Sequence, residues 1–158
     1  MIIKPSSKEL LIKSMEWDKY FIDIAKAVAS RSACDRLSAG CVLVRAKRIF
    51  ATGYNASLSG LPTCNEVGHL MVEGHCVRTA HAEDNAIAQA AGFGIATMGA
   101  SAYITHTPCF KCLKLLISCG IKEIVYEDGY RRDENTFAFA KDSGVTLRAR
   151  GSWLETHK

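Results

Sequence analysis

The chain has 158 residues, 48% hydrophobic and 23% charged, with a formal net charge of +4. That length suits one domain with a substantial buried core, and that composition excludes a disordered or low-complexity chain. No apolar run approaches the ~20 residues of a membrane span, and Lys4, Lys8, Glu9 and Lys13 interrupt the N-terminus where a secretory leader would be apolar.

In chain order, Trp17, Tyr20, Phe21, Ile24, Ala27 and Val28 recur at helical spacing and predict a first helix from about Trp17 to Arg31 with one buried stripe. Two β-rich runs follow, Gly40 to Val44 and Ile49 to Tyr54. The basic stretch Arg45 to Arg48 joins them as an antiparallel hairpin. From about 55 to 80 no period survives, and Gly60, Pro62, Gly68 and Gly74 break the chain. We read residues 1–158 as a single domain with an irregular inserted segment at about 55–80, the kind of segment that is usually functional or organised by a metal. A second helix starts near His81 and runs to Gly92, with Thr79 as its expected cap. Then come a strand from Ala100 to Thr105, a helix from Cys109 to Cys119, a strand from Glu123 to Tyr126, a helix from Glu134 to Asp142 and a last strand from Val145 to Arg148. Helices alternating with strands predict an α/β architecture with right-handed crossovers and a sheet covered on both faces.

The chemistry concentrates in His81-Ala82-Glu83 and Pro108-Cys109-Phe110-Lys111-Cys112. One imidazole and two thiols make three ligands for a zinc ion, and three protein ligands leave one tetrahedral position open, as in catalytic sites. Pro108 suits the first position of a helix capped by Thr107, which puts Cys109 and Cys112 on one face of its first turn. Glu83, two residues from His81, is better placed to reach a water than the ion. The plainer reading makes Cys109 and Cys112 buried thiols or half of a closed structural zinc site. The His81 and Glu83 pair weighs against it.

The seven cysteines do not read as a disulfide scaffold, because the number is odd and the core needs no staples. A reducing cytoplasm is expected, with cysteines kept as metal ligands or small core residues. The basic clusters, Arg45-Ala46-Lys47-Arg48 and Arg131-Arg132, are short, which gives little support to nucleic-acid binding and is compatible with a small phosphorylated substrate; the first cluster reads more simply as solvated surface charge.

The H-x-E and P-C-x-x-C pair is the signature of zinc-dependent nucleobase deaminases. From the first helix to near Leu147 the chain resembles the deoxycytidylate (dCMP) deaminases of the cytidine deaminase-like superfamily. The resemblance is carried by Gly53-Tyr54-Asn55, Gly74 to Ile87, Tyr103 to Cys112 and Cys119 to Tyr126. It implies a three-layer αβα fold on a mixed five-stranded sheet, an N-terminal antiparallel hairpin followed by βαβαβ units. It implies hydrolytic deamination of dCMP to dUMP and ammonia, supplying dUMP for thymidylate synthesis, with zinc on His81, Cys109 and Cys112 and Glu83 as proton shuttle. Asn55 and Tyr130 match family positions near the nucleotide, with Arg131 and Arg132 beside Tyr130. Arg78 and Arg31 are weaker phosphate candidates. Cys41, where some members carry alanine, is read as a small buried residue.

Phage-type members add a second, structural zinc near an inserted loop. Cys34 and Cys64 match its cysteine positions best, His75 is the preferred third ligand, and Cys76 or His69 would complete it. The resemblance further implies a homohexamer activated by dCTP and inhibited by dTTP, with Mg2+ accompanying the triphosphates. The small-residue face of the Ala82 to Gly92 helix is then either a subunit contact or a face covered by its own sheet. The rival readings are a tRNA adenosine or polynucleotide cytidine deaminase and a non-catalytic zinc module. A purely structural site has no reason to carry Glu83.

Overall fold

The computed structural model describes residues 5–128 and 133–152. Its first helix, α1 (Ser7–Ala29), starts ten residues before the apolar stripe does. Ser6 caps it reciprocally: Glu9 N–H donates to Ser6 Oγ at 3.3 Å, and Ser6 N–H donates to Glu9 Oε2 at 2.7 Å. The early turns expose Leu10, Ile12 and Met15, so local capping holds them rather than burial.

Strands β1 (Gly40–Arg45) and β2 (Arg48–Tyr54) form the expected hairpin. Its two turn residues, Ala46 and Lys47, both adopt positive φ, 49° and 60°. That primed turn matches the right-handed twist of the strands. The following segment is a series of very short elements: β3 (Ala56–Ser57), α2 (Cys64–Val67), β4 (Met71–Val72), β5 (His75–Cys76) and β6 (Thr79–Ala80). β3 pairs with β6 and β4 with β5, both antiparallel. Then come α3 (Ala82–Gly92), β7 (Ser101–His106), α4 (Phe110–Ser118), β8 (Glu123–Asp128), α5 (Glu134–Asp142) and β9 (Thr146–Ala149).

The main sheet has the order β2-β1-β7-β8-β9. β7 runs antiparallel to β1, while β7, β8 and β9 run parallel, as α4 and α5 crossovers require. Strand alternation divides the core into two halves. Cys41, Leu43, Ala102, Ile104 and Ile124 face α3, α4 and α5, packing on Ala82, Ala86, Ala90, Leu113, Leu116 and Ala140. Val42, Val44, Tyr103 and Val125 face α1, packing on Phe21, Ile22 and Ala25. The small-residue face of α3 is therefore covered by its own sheet, which decides between the two readings of that face.

Two glycines set how closely the layers approach. A Cβ on Gly53 would lie 2.1 Å from Ala82 O and 2.3 Å from Ala86 N, so α3 rests directly on β2. On the opposite face, a Cβ on Gly40 would lie 2.0 Å from Ala25 O of α1. Among the described residues no helix is long and apolar enough to cross a membrane.

Candidate metal centre and active site

α3 and α4 begin beside each other, and the residue that caps each is itself a metal-ligand candidate. His81 has extended backbone at the start of α3, and its carbonyl accepts from Asn85 N–H at 3.0 Å. Asp84 Oδ2 accepts from His81 N–H at 3.3 Å. Cys109 holds the same position on α4, where its Sγ accepts from Cys112 N–H at 3.5 Å. The expected caps are thus displaced. Thr79 lies in β6, paired with Ser57, and Thr107 and Pro108 precede the cap in the loop after β7. A sulfur takes the role that a hydroxyl oxygen usually plays at a helix start.

His81 Nδ1 lies 3.6 Å from Cys109 Sγ and 3.3 Å from Cys112 Sγ. All three donor atoms fall within 4.8 Å of one another, and among the described residues this group has three members. Hydrogen bonding from Cys112, reinforced by His81, pulls the Cys109 thiol down to about 4. The same contact with Cys109 pushes the Cys112 thiol up, while His81's own hydrogen bond with Cys109 raises His81. Two sulfurs and an imidazole thus share protons that a dication would displace. The N/S donor set suits zinc, with one tetrahedral position left over.

Glu83 lies in the first turn of α3, only 5% exposed, and is outside the donor group. Burial pushes its carboxyl up to about 7. A carboxyl poised there both accepts and returns a proton near neutral pH. Glu83, His81 and Cys109 line a cavity of about 460 Å³. Its remaining walls come from the 34–39 loop, Asn55 just after β2, strand β5, Thr79 of β6, the end of β7 and the loop after it, the start of α4 and the α5 cap, Asp133.

Asn55 lines this cavity and is buried. Its Oδ1 accepts from Ala39 N–H at 2.7 Å and its Nδ2 donates to Leu37 O at 2.6 Å, so it also fixes the loop before β1. Arg78 is not among the lining residues; its Nε donates to Gly68 O at 2.9 Å, inside the inserted segment. Tyr130, with Arg131 and Arg132, lies outside the described residues. Arg36, His75, His106 and Asp133 line the cavity without having been singled out as substrate contacts. Arg36 offered no sequence signal, because its role depends on how the insertion folds back.

A second group of four donors, Cys34, Cys64, His69 and Cys76, also lies within 4.8 Å. Cys34 Sγ is 3.8 Å from His69 Nδ1 and Cys64 Sγ is 3.6 Å from Cys76 Sγ. Burial pushes the Cys64 thiol up to about 12. Burial acts the same way on Cys76, but the backbone N–H groups of Arg78 and Leu70 and the His69 side chain outweigh it and bring that thiol down to about 6. His75 is corrected here: it is exposed and not a member. Neighbours in a strand point to opposite sides, so only one residue of the β5 pair reaches the cluster. Cys41 is fully buried in the core, as expected of a small apolar residue.

Residues 15–128 match the profile described as the cytidine and deoxycytidylate deaminase zinc-binding region. The chain belongs to this family. It is 42% identical over 136 residues to ComE operon protein 2 of Bacillus subtilis, covering 86% of this chain and 72% of that protein. It is 37% identical over 140 residues to the deoxycytidylate deaminase of Saccharomyces cerevisiae, covering 84% of this chain but 44% of the yeast protein. Among solved structures, the dCMP deaminase of cyanophage S-TIM5 in complex with dCMP and dUMP superposes with a TM-score of 0.74 at 25% identity, covering 94% of this chain and 99% of that one. The three-layer arrangement is thus the cytidine deaminase fold, and the matched region includes His81, Glu83, Cys109 and Cys112.

Proposed function

We propose that this deaminase converts dCMP and water to dUMP and ammonia, with zinc held by His81, Cys109 and Cys112. The observation that carries the reading is a buried carboxyl, Glu83, facing the same cavity as a three-donor metal group. When bound, zinc supplies a Lewis acid that brings the pKa of a water in its open position to about 7. Glu83 takes a proton from the attacking water and places it on N3 of the cytosine, which makes C4 more electrophilic. After water oxygen has bonded to C4, Glu83 carries the second proton to the exocyclic nitrogen, and the C4–N bond breaks to release ammonia. The low-dielectric setting of Glu83 lets one carboxyl serve both transfers.

A mononucleotide is favoured because the inserted segment closes over the cavity: His75, Cys76 and Thr79 all form part of its wall. Arg36 supplies a cation there, and Asn55 supplies an amide. The relatives named as deoxycytidylate deaminases and the dCMP-bound cyanophage enzyme support the same substrate. A polynucleotide deaminase would need an open groove with stacking surfaces for a flipped base. The deciding assay is ammonia release from dCMP, CMP, dCTP and single-stranded DNA. Release from dCMP well above the others is expected, and preference for the polynucleotide would replace this reading.

Cys34, Cys64, His69 and Cys76 make a closed four-donor set, and we assign it a second, structural zinc. Regulation by dCTP and dTTP, with Mg2+, and a hexameric assembly follow from the family resemblance. Sigmoidal dCMP dependence relieved by dCTP, with sedimentation at six chains, is the expected outcome. Five of the seven cysteines belong to the two donor groups, which supports a reducing, cytoplasmic setting.

A further inference from the structure

The two donor groups are not independent. Cys34 and Cys76 belong to the four-donor cluster and also line the catalytic cavity. Their near neighbours Arg36 and His75 line it as well, whereas Cys64 and His69 do not. One wall of the cavity is therefore made of two segments about forty residues apart, 34–37 and 75–76. Arg36 Nη2 donates to Gly74 O at 3.2 Å, one exposed hydrogen bond between them.

Hydrophobic burial does little to hold the second segment in place. Leu58, Leu61, Val67, Leu70, Val72 and Val77 of the insertion are each at least 50% exposed. Its strands β4 and β5 are two residues long, too short to be stable alone. A four-donor metal cross-link is the usual substitute where a core is missing. Asp35 completes the arrangement: its Oδ1 lies 3.0 Å from His69 Nε2, which leaves Nδ1 turned toward Cys34. Such a carboxylate orients a ligating imidazole and fixes its tautomer.

We infer that the second metal centre braces one wall of the nucleotide cavity, so that its occupancy sets nucleotide affinity. The inference rests on reading the four donors as a metal centre. Metal there joins the 34–37 loop to the β5 segment and holds Arg36 and His75 at the cavity.

The test uses the full chain, elemental analysis for zinc and calorimetric binding of dUMP. His69→Ala and Cys64→Ser remove donors that do not line the cavity. Each is expected to lower zinc from about two to about one per chain and to weaken dUMP at least about tenfold. Asp35→Ala spares all four donors and guards against misfolding of the first variants. It should release one zinc to a chelator about tenfold faster than the parent, with dUMP binding lost in step and restored by added zinc. Parent protein that holds only one zinc removes the second centre itself. Two zincs in the parent, with unchanged dUMP affinity after one is lost, would leave the second centre standing and overturn only the brace.

Discussion

Asp18 and Arg148, 130 residues apart, meet as a two-pronged ion pair of 2.6 and 3.0 Å with both side chains at most 2% exposed. The pair joins α1 to β9 on the face opposite the catalytic cavity. Arg148 also reaches Glu123 Oε1 at 2.9 Å. Removing one partner strands a buried charge, so Asp18→Ala is expected to cost about 3 kcal/mol, at the low end for such pairs because Glu123 remains. Urea unfolding followed by circular dichroism measures it. Replacing Asp18 and Arg148 together by apolar residues should cost much less, since no lone charge is left behind.

Glu83→Gln keeps the shape of the side chain and removes its proton chemistry. Its zinc content should match the parent's, because Glu83 lies outside the donor group. Turnover of dCMP should fall at least about a thousandfold, within the range for loss of a general acid–base. Deamination that persists in this variant would take Glu83 out of the mechanism.

Gly53→Ala tests how the fold carries the site. The new methyl would meet backbone atoms of Ala82 and Ala86, which cannot rotate away. Either α3 shifts or β2 does, and α3 carries His81 as its cap and Glu83 in its first turn. We expect about 3 kcal/mol of destabilisation from overpacking. We also expect a loss of turnover near a hundredfold from misplacement by about an ångström. Thermal unfolding and dCMP turnover, measured on the same preparation, check both.

Much of this arrangement was legible in the residues. α5 has the bounds expected of it, Glu134 to Asp142, and the five long strands lie within one or two residues of the β-rich runs. The donor spacing around His81 and Cys109 was equally readable, because helix starts bring such residues together over short stretches of chain. The start of α1 was missed because Leu10, Ile12 and Met15 are exposed and leave no stripe. The helix caps were misplaced because imidazole and thiol are not usual capping groups. In the insertion, β4 and β5 are too short to show a period of two, so His75 and His69 could not be told apart. That choice is made by the strand's alternation and by Asp35, a partner 34 positions away from His69 in sequence.

The β1–β2 turn offers a gain in stability. Ala46 pays for a left-handed conformation that asparagine adopts more readily. Ala46→Asn leaves Lys47 over the Trp17 ring, 5.0 Å from its centroid, and should stabilise by about 0.5–1 kcal/mol. A higher midpoint in urea with an unchanged slope is the expected signature; a lower midpoint would mean that the turn is held in some other way.

Cys41 and Cys112 set a packing thiol beside a proposed ligand. Both are fully buried on the same side of the sheet. Cys112 lies within reach of His81 and Cys109, whereas Cys41 packs with Ala39 and Leu43 and belongs to neither donor group. Burial, with Glu83 nearby, holds the Cys41 thiol strongly protonated. Cys41→Ala should therefore keep the parent's zinc content and cost only about 1 kcal/mol, the loss of one small buried group. Cys112→Ala should lose the catalytic zinc and, with it, dCMP turnover, while the four donors around Cys64 keep theirs. Elemental analysis of the two variants side by side reads this directly. Zinc lost from Cys41→Ala would mean that a third thiol, not a water, takes the remaining position on the metal.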